Sequence, residues 1–183
     1  MPAADTAALV VRAQRGDRAA FDALVRAHLR TAYSVALGVV GRPADAEDVA
    51  QDAMVIALER IDTCRDPARF PGWLVQIVRN QSKNWLDRRR LRDVPADQNP
   101  TEQADHTSWP DVAGEKGRLL QALGRLSPVA RQVVLLHDLE GWTHAEVASS
   151  LGISEVMSRQ HLFLARRELR SQLDGQAVVG GSP

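Results

Sequence analysis

Asn80, Lys83 and Asn84 recur at three- and four-residue spacing, with Phe70, Trp73 and Trp85 around them and Arg79, Arg88, Arg89, Arg90 and Arg92 close in sequence. Amide and ammonium groups hydrogen-bond phosphates and base edges, and aromatic faces receive unstacked bases. This combination suits melted, single-stranded nucleic acid. Trp73 and Trp85 also fall on the apolar stripe of a helix, where core packing is the alternative. Covalent chemistry has no candidates. There is no glycine-rich phosphate loop, no metal-ligand cluster and no Ser/His/Asp constellation, and the five histidines are scattered. The sequence therefore predicts no catalytic residue, no metal site and no cofactor.

A second group of residues suits duplex DNA. Thr143-His144-Ala145-Glu146 has the form of a capping box, in which hydroxyl and carboxylate each satisfy a free N–H at a helix start. Val147, Ala148 and Leu151 then face inward, Gly152 makes a turn that wants positive φ, and Ser154 can cap a second helix carrying Arg159, Arg166, Arg167 and Arg170. This is the grammar of a helix-turn-helix, whose second helix enters the major groove with its N-terminal side chains toward base edges. A generic helical hairpin would share the pattern.

Helices must position both groups. Ala and Leu dominate the composition, while Trp, Phe and Tyr number four, three and one, which favours an all-α fold over a sandwich or barrel. Phe21, Leu24, Val25, Leu29, Ala32, Tyr33, Ala36, Leu37 and Val40 form one stripe ended by Gly41. Asp45 is a candidate N-cap for a helix carrying Val49, Ala50, Ala53, Ile56 and Ala57 and fading near Ile61. Residues 62–71 read as a loop, and Trp73, Leu74, Ile77, Val78 and Trp85 mark a third long helix. From Asp93 to Gly117 prolines break all periodicity. Leu119, Leu120, Leu123 and Leu126 then form a stripe, and after a Ser127-Pro128 start signal Val129, Val133, Val134 and Leu136 form another. The last helix is expected over Ser154 to Leu173. The expected organisation is thus two small helical domains, 1–92 and 117–174, joined by a flexible linker, 93–116, with a disordered tail, 175–183.

Charge separates along this chain. The 23 Lys and Arg balance 23 Asp and Glu, which excludes a uniformly basic nucleic-acid coat. Locally, Arg79, Lys83, Arg88, Arg89, Arg90 and Arg92 against Asp87 leave +5 at the end of the third helix, whereas Asp93, Asp97, Glu102, Asp105, Asp111 and Glu115 against Lys116 leave -5 in the linker. Solvated surface is the bland account of such runs. The single cysteine, Cys64, fits a reducing compartment. Residues 1–15 lack a signal peptide's basic start and apolar run, and Thr31 to Gly41 is too short to span a bilayer, so the expected location is cytoplasmic with no membrane insertion.

In motif and order the sequence resembles the extracytoplasmic-function (ECF) group of bacterial RNA polymerase sigma factors, over roughly residues 17–92 and 117–173. Asp45-Ala-Glu-Asp-Val-Ala-Gln51-Asp52 is similar to the family's second-region signature. Phe70-x-x-Trp73-Leu74-x-x-Ile77-x-x-Asn80-x-x-Lys83-Asn84-x-Leu86 is similar to its promoter-melting helix. Leu126-Ser-Pro-x-x-Arg131-x-Val133-x-x-Leu136 and Glu140-Gly141-Trp142-Thr143-x-x-Glu146-Val147-Ala148, then Leu151-Gly152-Ile153-Ser154, are similar to its fourth region. The resemblance implies a non-catalytic, dissociable subunit of RNA polymerase, with core polymerase (β′ clamp and β flap), promoter DNA and an anti-sigma factor as partners. Asp45, Asp48, Gln51 and Asp52 would dock on the β′ clamp. Phe70, Trp73, Arg79, Asn80, Lys83, Asn84, Arg88, Arg89 and Arg90, with the 61–71 loop, would hold the melted non-template strand of the -10 element. Thr143, Glu155, Ser158, Arg159, Gln160 and Arg166 would serve the -35 element. The acidic linker would thread toward the polymerase active-site cleft.

The last helix departs from the family pattern. Val156-Met157-Ser158-Arg159-Gln160-His161-Leu162-Phe163-Leu164-Ala165-Arg166 stands where the family usually has Gly-Thr-Val-Lys-Ser-Arg-Leu-His-Arg-Ala-Arg. Ser158 shares the core-facing register of Leu162, Ala165 and Leu169, where a buried hydroxyl costs about 1–3 kcal/mol without a partner such as the carbonyl one turn back. Phe163 and Leu164 replace polar or basic residues on the outer side. A sigma-like interaction protein that binds polymerase or an anti-sigma partner without specific -35 recognition is therefore the alternative to a promoter-directing factor.

Overall fold

In the computed structural model residues 3–93 and 114–177 are described; all are helix, turn or coil, and no strand occurs among them. The expected all-α, two-domain fold is present: α1 to α4 belong to one compact unit and α5 to α8 to another. Most of the linker and the last six residues lie outside the described residues.

The first unit opens with a helix that the sequence reading left out, α1 (Ala3–Gln14). Its signal was short: Thr6, Val10 and Ala13, at i, i+4 and i+7, are all buried. Gly16, at φ +88°, ends the turn after it. Asp17 then accepts from the Ala20 N–H at 3.1 Å to start α2 (Arg18–Val40), while Arg12 grips its other oxygen through Nε and Nη2 at 2.9 and 2.6 Å. These bonds, with the Ala20 N–H first and Arg12 next, hold the Asp17 carboxyl below the usual carboxylate range.

Helix α3 (Pro43–Glu59) begins three residues earlier than expected, because Pro43 occupies the first turn, where its missing N–H costs nothing. Asp45 is thus inside the first turn rather than at the N-cap. Ala46, Val49, Ala50, Ala53, Met54 and Ala57 line its buried side, and Ile56 is only half-buried. The following segment holds two short 3-10 turns, Ile61–Thr63 and Pro67–Arg69, the second capped by Asp66. Helix α4 (Phe70–Asp93) starts sooner than the loop expected there allowed. It packs on α2 with Leu74, Val75 and Val78 buried, and its buried Ser82 hydroxyl donates to the Val78 carbonyl at 2.8 Å.

In the second unit α5 (Glu115–Arg125) turns Leu120, Ala122 and Leu123 inward but leaves Leu119 exposed, against its place in the expected stripe. Ser127 and Pro128 start α6 (Pro128–Val134), with the Ser127 hydroxyl accepting from Ala130 at 3.3 Å. A π-turn over Leu135–Leu139 follows, and then α7 (His144–Leu151) and α8 (Glu155–Ala177). Helix α8 packs on α5, α6 and α7. It continues four residues past Leu173, so residues 175–177, assigned from sequence to a disordered tail, are helical, as are Glu115 and Lys116 of the expected linker.

Two arginines tie this unit together. Arg131, almost fully buried, donates to the carbonyls of Leu123, Gly124 and Leu126 at 2.8, 3.1 and 3.1 Å, closing the C-terminal end of α5, where carbonyls have no helical partner. Burial pushes its pKa down to about 10. Arg118 reaches from α5 to the Leu173 carbonyl of α8 at 2.8 Å.

Candidate nucleic-acid interface

On α4 the buried side is set by Leu74, Val75, Val78 and Ser82, so helical periodicity puts Trp73, Gln76, Asn80, Lys83, Asn84 and Asp87 on the opposite face. Asn80, Lys83 and Asn84 are exposed there, and Trp73 is half-buried at the end of the row. The expected amide-and-ammonium surface therefore exists, with one aromatic wall. Phe70 does not belong to it. At 1% exposure it is a core anchor, its ring 5.3 Å from that of His28 and 5.6 Å from that of Trp73. Trp85 lies toward the buried side and carries the Arg89 guanidinium 5.3 Å from its ring centroid.

Arg89 also faces Asp45 at 3.6 Å, so it joins α4 to α3 rather than reaching outward for DNA. The same pair withdraws Asp45 from the acidic surface assigned to the polymerase. Asp48, Gln51 and Asp52 remain exposed on one side of α3, and Val55 and Leu58 continue that side as exposed apolar residues which the sequence reading missed. Their signal was the same i, i+3, i+4, i+7 register. Arg88 and Arg90 are exposed at the end of α4, whereas Arg79 is half-buried, which lowers its pKa.

The loop before α4 is held from a distance. Gln14, at the end of α1, donates to the carbonyls of Ile61 and Cys64 at 3.0 and 2.9 Å. The Cys64 thiol is buried, which raises its pKa with help from Asp66, and its Sγ lies 3.6 Å from the Asp66 carbonyl oxygen.

In the second unit the helix-turn-helix forms as its local grammar required. Thr143 accepts from the Glu146 N–H at 3.3 Å and the Thr143 N–H donates to the Glu146 carboxylate at 2.8 Å. Gly152 sits at φ +70° with its N–H on the Ala148 carbonyl, and Ser154 caps α8 by accepting from Met157 at 3.1 Å. Several residues assigned to DNA are occupied otherwise. Ser158 is 0% exposed and is removed from the DNA-facing set; its partner is the His144 ring, Oγ to Nδ1 2.9 Å, and not the carbonyl one turn back. The Thr143 hydroxyl is also bonded to the Glu146 carboxylate, at 2.7 Å. Glu155 pairs with Arg159 at 2.9 Å, and Arg166 grips Asp138 of the π-turn at 3.0 and 2.5 Å, which raises its pKa. Gln160 is exposed.

The His144 ring stacks on His137 with centroids 4.3 Å apart, and the His137 Nδ1–H donates to the Trp142 carbonyl at 2.7 Å. Desolvation, then the neighbouring His137, lower the His144 pKa; Arg159 and Arg166 act in the same sense and Glu155 against it. A base with a depressed folded pKa is bound by more protons when unfolded, so its contribution is complete above the unfolded value near 6.5 and is lost as pH falls through the folded one. The melting temperature of the second unit is therefore expected to drop between pH 7.5 and 5, and His144→Asn to flatten that dependence in melts of the full chain.

These features define a two-unit helical protein with an exposed amide-and-ammonium row in one unit and a helix-turn-helix in the other. Residues 24–92 match the family described as Sigma-70 region 2, and residues 116–169 match Sigma-70, region 4. ECF RNA polymerase sigma factor SigL of Mycobacterium tuberculosis is 31% identical over 171 residues, covering 90% of this chain and 97% of that protein. RNA polymerase sigma factor NccH of Alcaligenes xylosoxydans xylosoxydans is 29% identical, covering 93% and 96%. A probable RNA polymerase sigma factor, RfaY of Xanthomonas campestris, is 32% identical, but this chain spans only 42% of its length. Among solved structures, CnrH in complex with the cytosolic domain of CnrY aligns with a TM-score of 0.68 at 29% identity, over 93% of this chain and 98% of that one. The chain belongs to the ECF group of RNA polymerase sigma factors. Helix α1 lies outside both matched regions. No described helix is long and apolar enough to cross a membrane.

Proposed function

We propose that this chain binds core RNA polymerase in the cytoplasm and directs it to promoters as a non-catalytic initiation factor, opening the -10 element with α4 and docking α7 and α8 on the -35 element. The observation that carries this reading is the α4 face, where Asn80, Lys83 and Asn84 stand exposed beside Trp73. Asp48, Gln51 and Asp52, with Val55 and Leu58, supply an acidic and apolar surface for the polymerase clamp. Because CnrH was solved with CnrY, we also propose an anti-sigma partner for this chain.

Reversing charge on the polymerase surface tests the first step. The double variant Asp48→Arg, Asp52→Arg is expected to bind core polymerase about tenfold more weakly, with an unchanged melting temperature. Unchanged affinity would remove α3 from the contact. The second reading, an interaction protein without -35 recognition, is favoured by one observation: Ser158, Thr143 and Arg166 are all engaged within the protein.

A further inference from the structure

The side chains that α8 offers to a DNA groove are few. With Ser158, Leu162 and Ala165 buried, helical periodicity puts Val156, Gln160 and Arg167 opposite them, with Phe163 and Arg170 toward one side of that line and Leu164 toward the other. Val156 and Phe163 are 69% and 67% exposed. Glu155 and Arg159 flank this line and satisfy each other. From Val156 to Phe163 the helix rises about 10.5 Å, roughly three base-pair steps of 3.4 Å. In the major groove the thymine C5 methyl is the apolar feature of the base edges, and Gln presents the donor and acceptor that match adenine N7 and N6. Arg167 and Arg170, both exposed, continue the line with the charge that phosphates require.

We propose that Val156 and Phe163 read thymine methyl groups and that Gln160 reads an adenine between them. The duplex element recognised by α8 is then A·T-rich, with two thymines about three steps apart. This deepens the proposed -35 reading and rests on it. It also accounts for Phe163 on the outer side of this helix as a change of base preference rather than a loss of recognition.

The test uses holoenzyme reconstituted from core polymerase and the full chain. A duplex pool, randomised upstream of a pre-opened bubble so that melting is not limiting, is selected for binding. Each selected thymine is then replaced by uracil, which removes only the methyl group. The expected result is thymines at that spacing, about fourfold weaker binding per methyl removed, and loss of uracil sensitivity at one position in Phe163→Ala and at the other in Val156→Ala. Both side chains are exposed, so these variants are expected to keep the wild-type melting temperature. A selected element that is indifferent to uracil, or variants that leave the thymine-to-uracil ratio unchanged, would overturn the inference and leave the apolar line to a protein contact, with -35 recognition intact. Selection of no sequence at all would overturn both.

Discussion

Replacing Arg131 with Met is expected to unfold the second unit at temperatures where the first remains folded. Three carbonyls, those of Leu123, Gly124 and Leu126, lose the guanidinium together, and of these Leu123 keeps the Leu126 N–H at 3.2 Å. Each charge-assisted bond to such a group is worth about 1.5–3 kcal/mol, and relief of the guanidinium's own desolvation offsets part of the sum, leaving about 3 kcal/mol. A domain of this size has total stability of only about 3–9 kcal/mol, and 1 kcal/mol moves its midpoint by about 4–8 °C. Calorimetry of the full chain should show one transition lowered by about 10–25 °C and the other unmoved. Arg131→Lys keeps the charge but cannot span three carbonyls, so it should recover only part of the loss. A single transition shifting as a whole would contradict the separation of the two units.

The second large effect is functional. Asn80→Ala, Lys83→Ala and Asn84→Ala combined should leave folding and core binding within about twofold, since all three side chains are exposed and Ala favours the helix. Open-complex formation should fall by on the order of a hundredfold, because three hydrogen-bonding groups at about 1 kcal/mol each sum to about 3 kcal/mol. Permanganate reactivity of -10 thymines measures this directly, and parallel losses of core binding and opening would contradict it. Arg89→Ala should behave differently from Arg88→Ala or Arg90→Ala. Its pair with Asp45 joins α4 to α3, so its loss disturbs the polymerase-facing helix as well.

The features legible in the sequence are those decided within one or two helical turns. The capping box at Thr143, the Gly152 turn, the Ser154 cap and the Ser127-Pro128 start each depend on neighbours a few residues away, and each formed as expected. Periodicity also placed Asn80, Lys83 and Asn84 outward and Ser158 inward. What it could not supply was the partner. Ser158 meets His144, Gln14 meets carbonyls 47 and 50 residues away, and Arg166 meets Asp138, all through packing between elements. Phe70 shows the same limit from the other side. Its aromatic type suited a base-binding wall, yet its position at the start of α4, against His28, made it core.

The central proposal, that this chain gives core polymerase its promoters, is tested most directly by mapping the 5′ ends of transcripts made on genomic DNA by purified core polymerase with and without the full chain. The predicted result is a set of sharp starts that appear only with the chain and share two upstream blocks at fixed spacing. Binding of the chain to core polymerase with no new starts would contradict it.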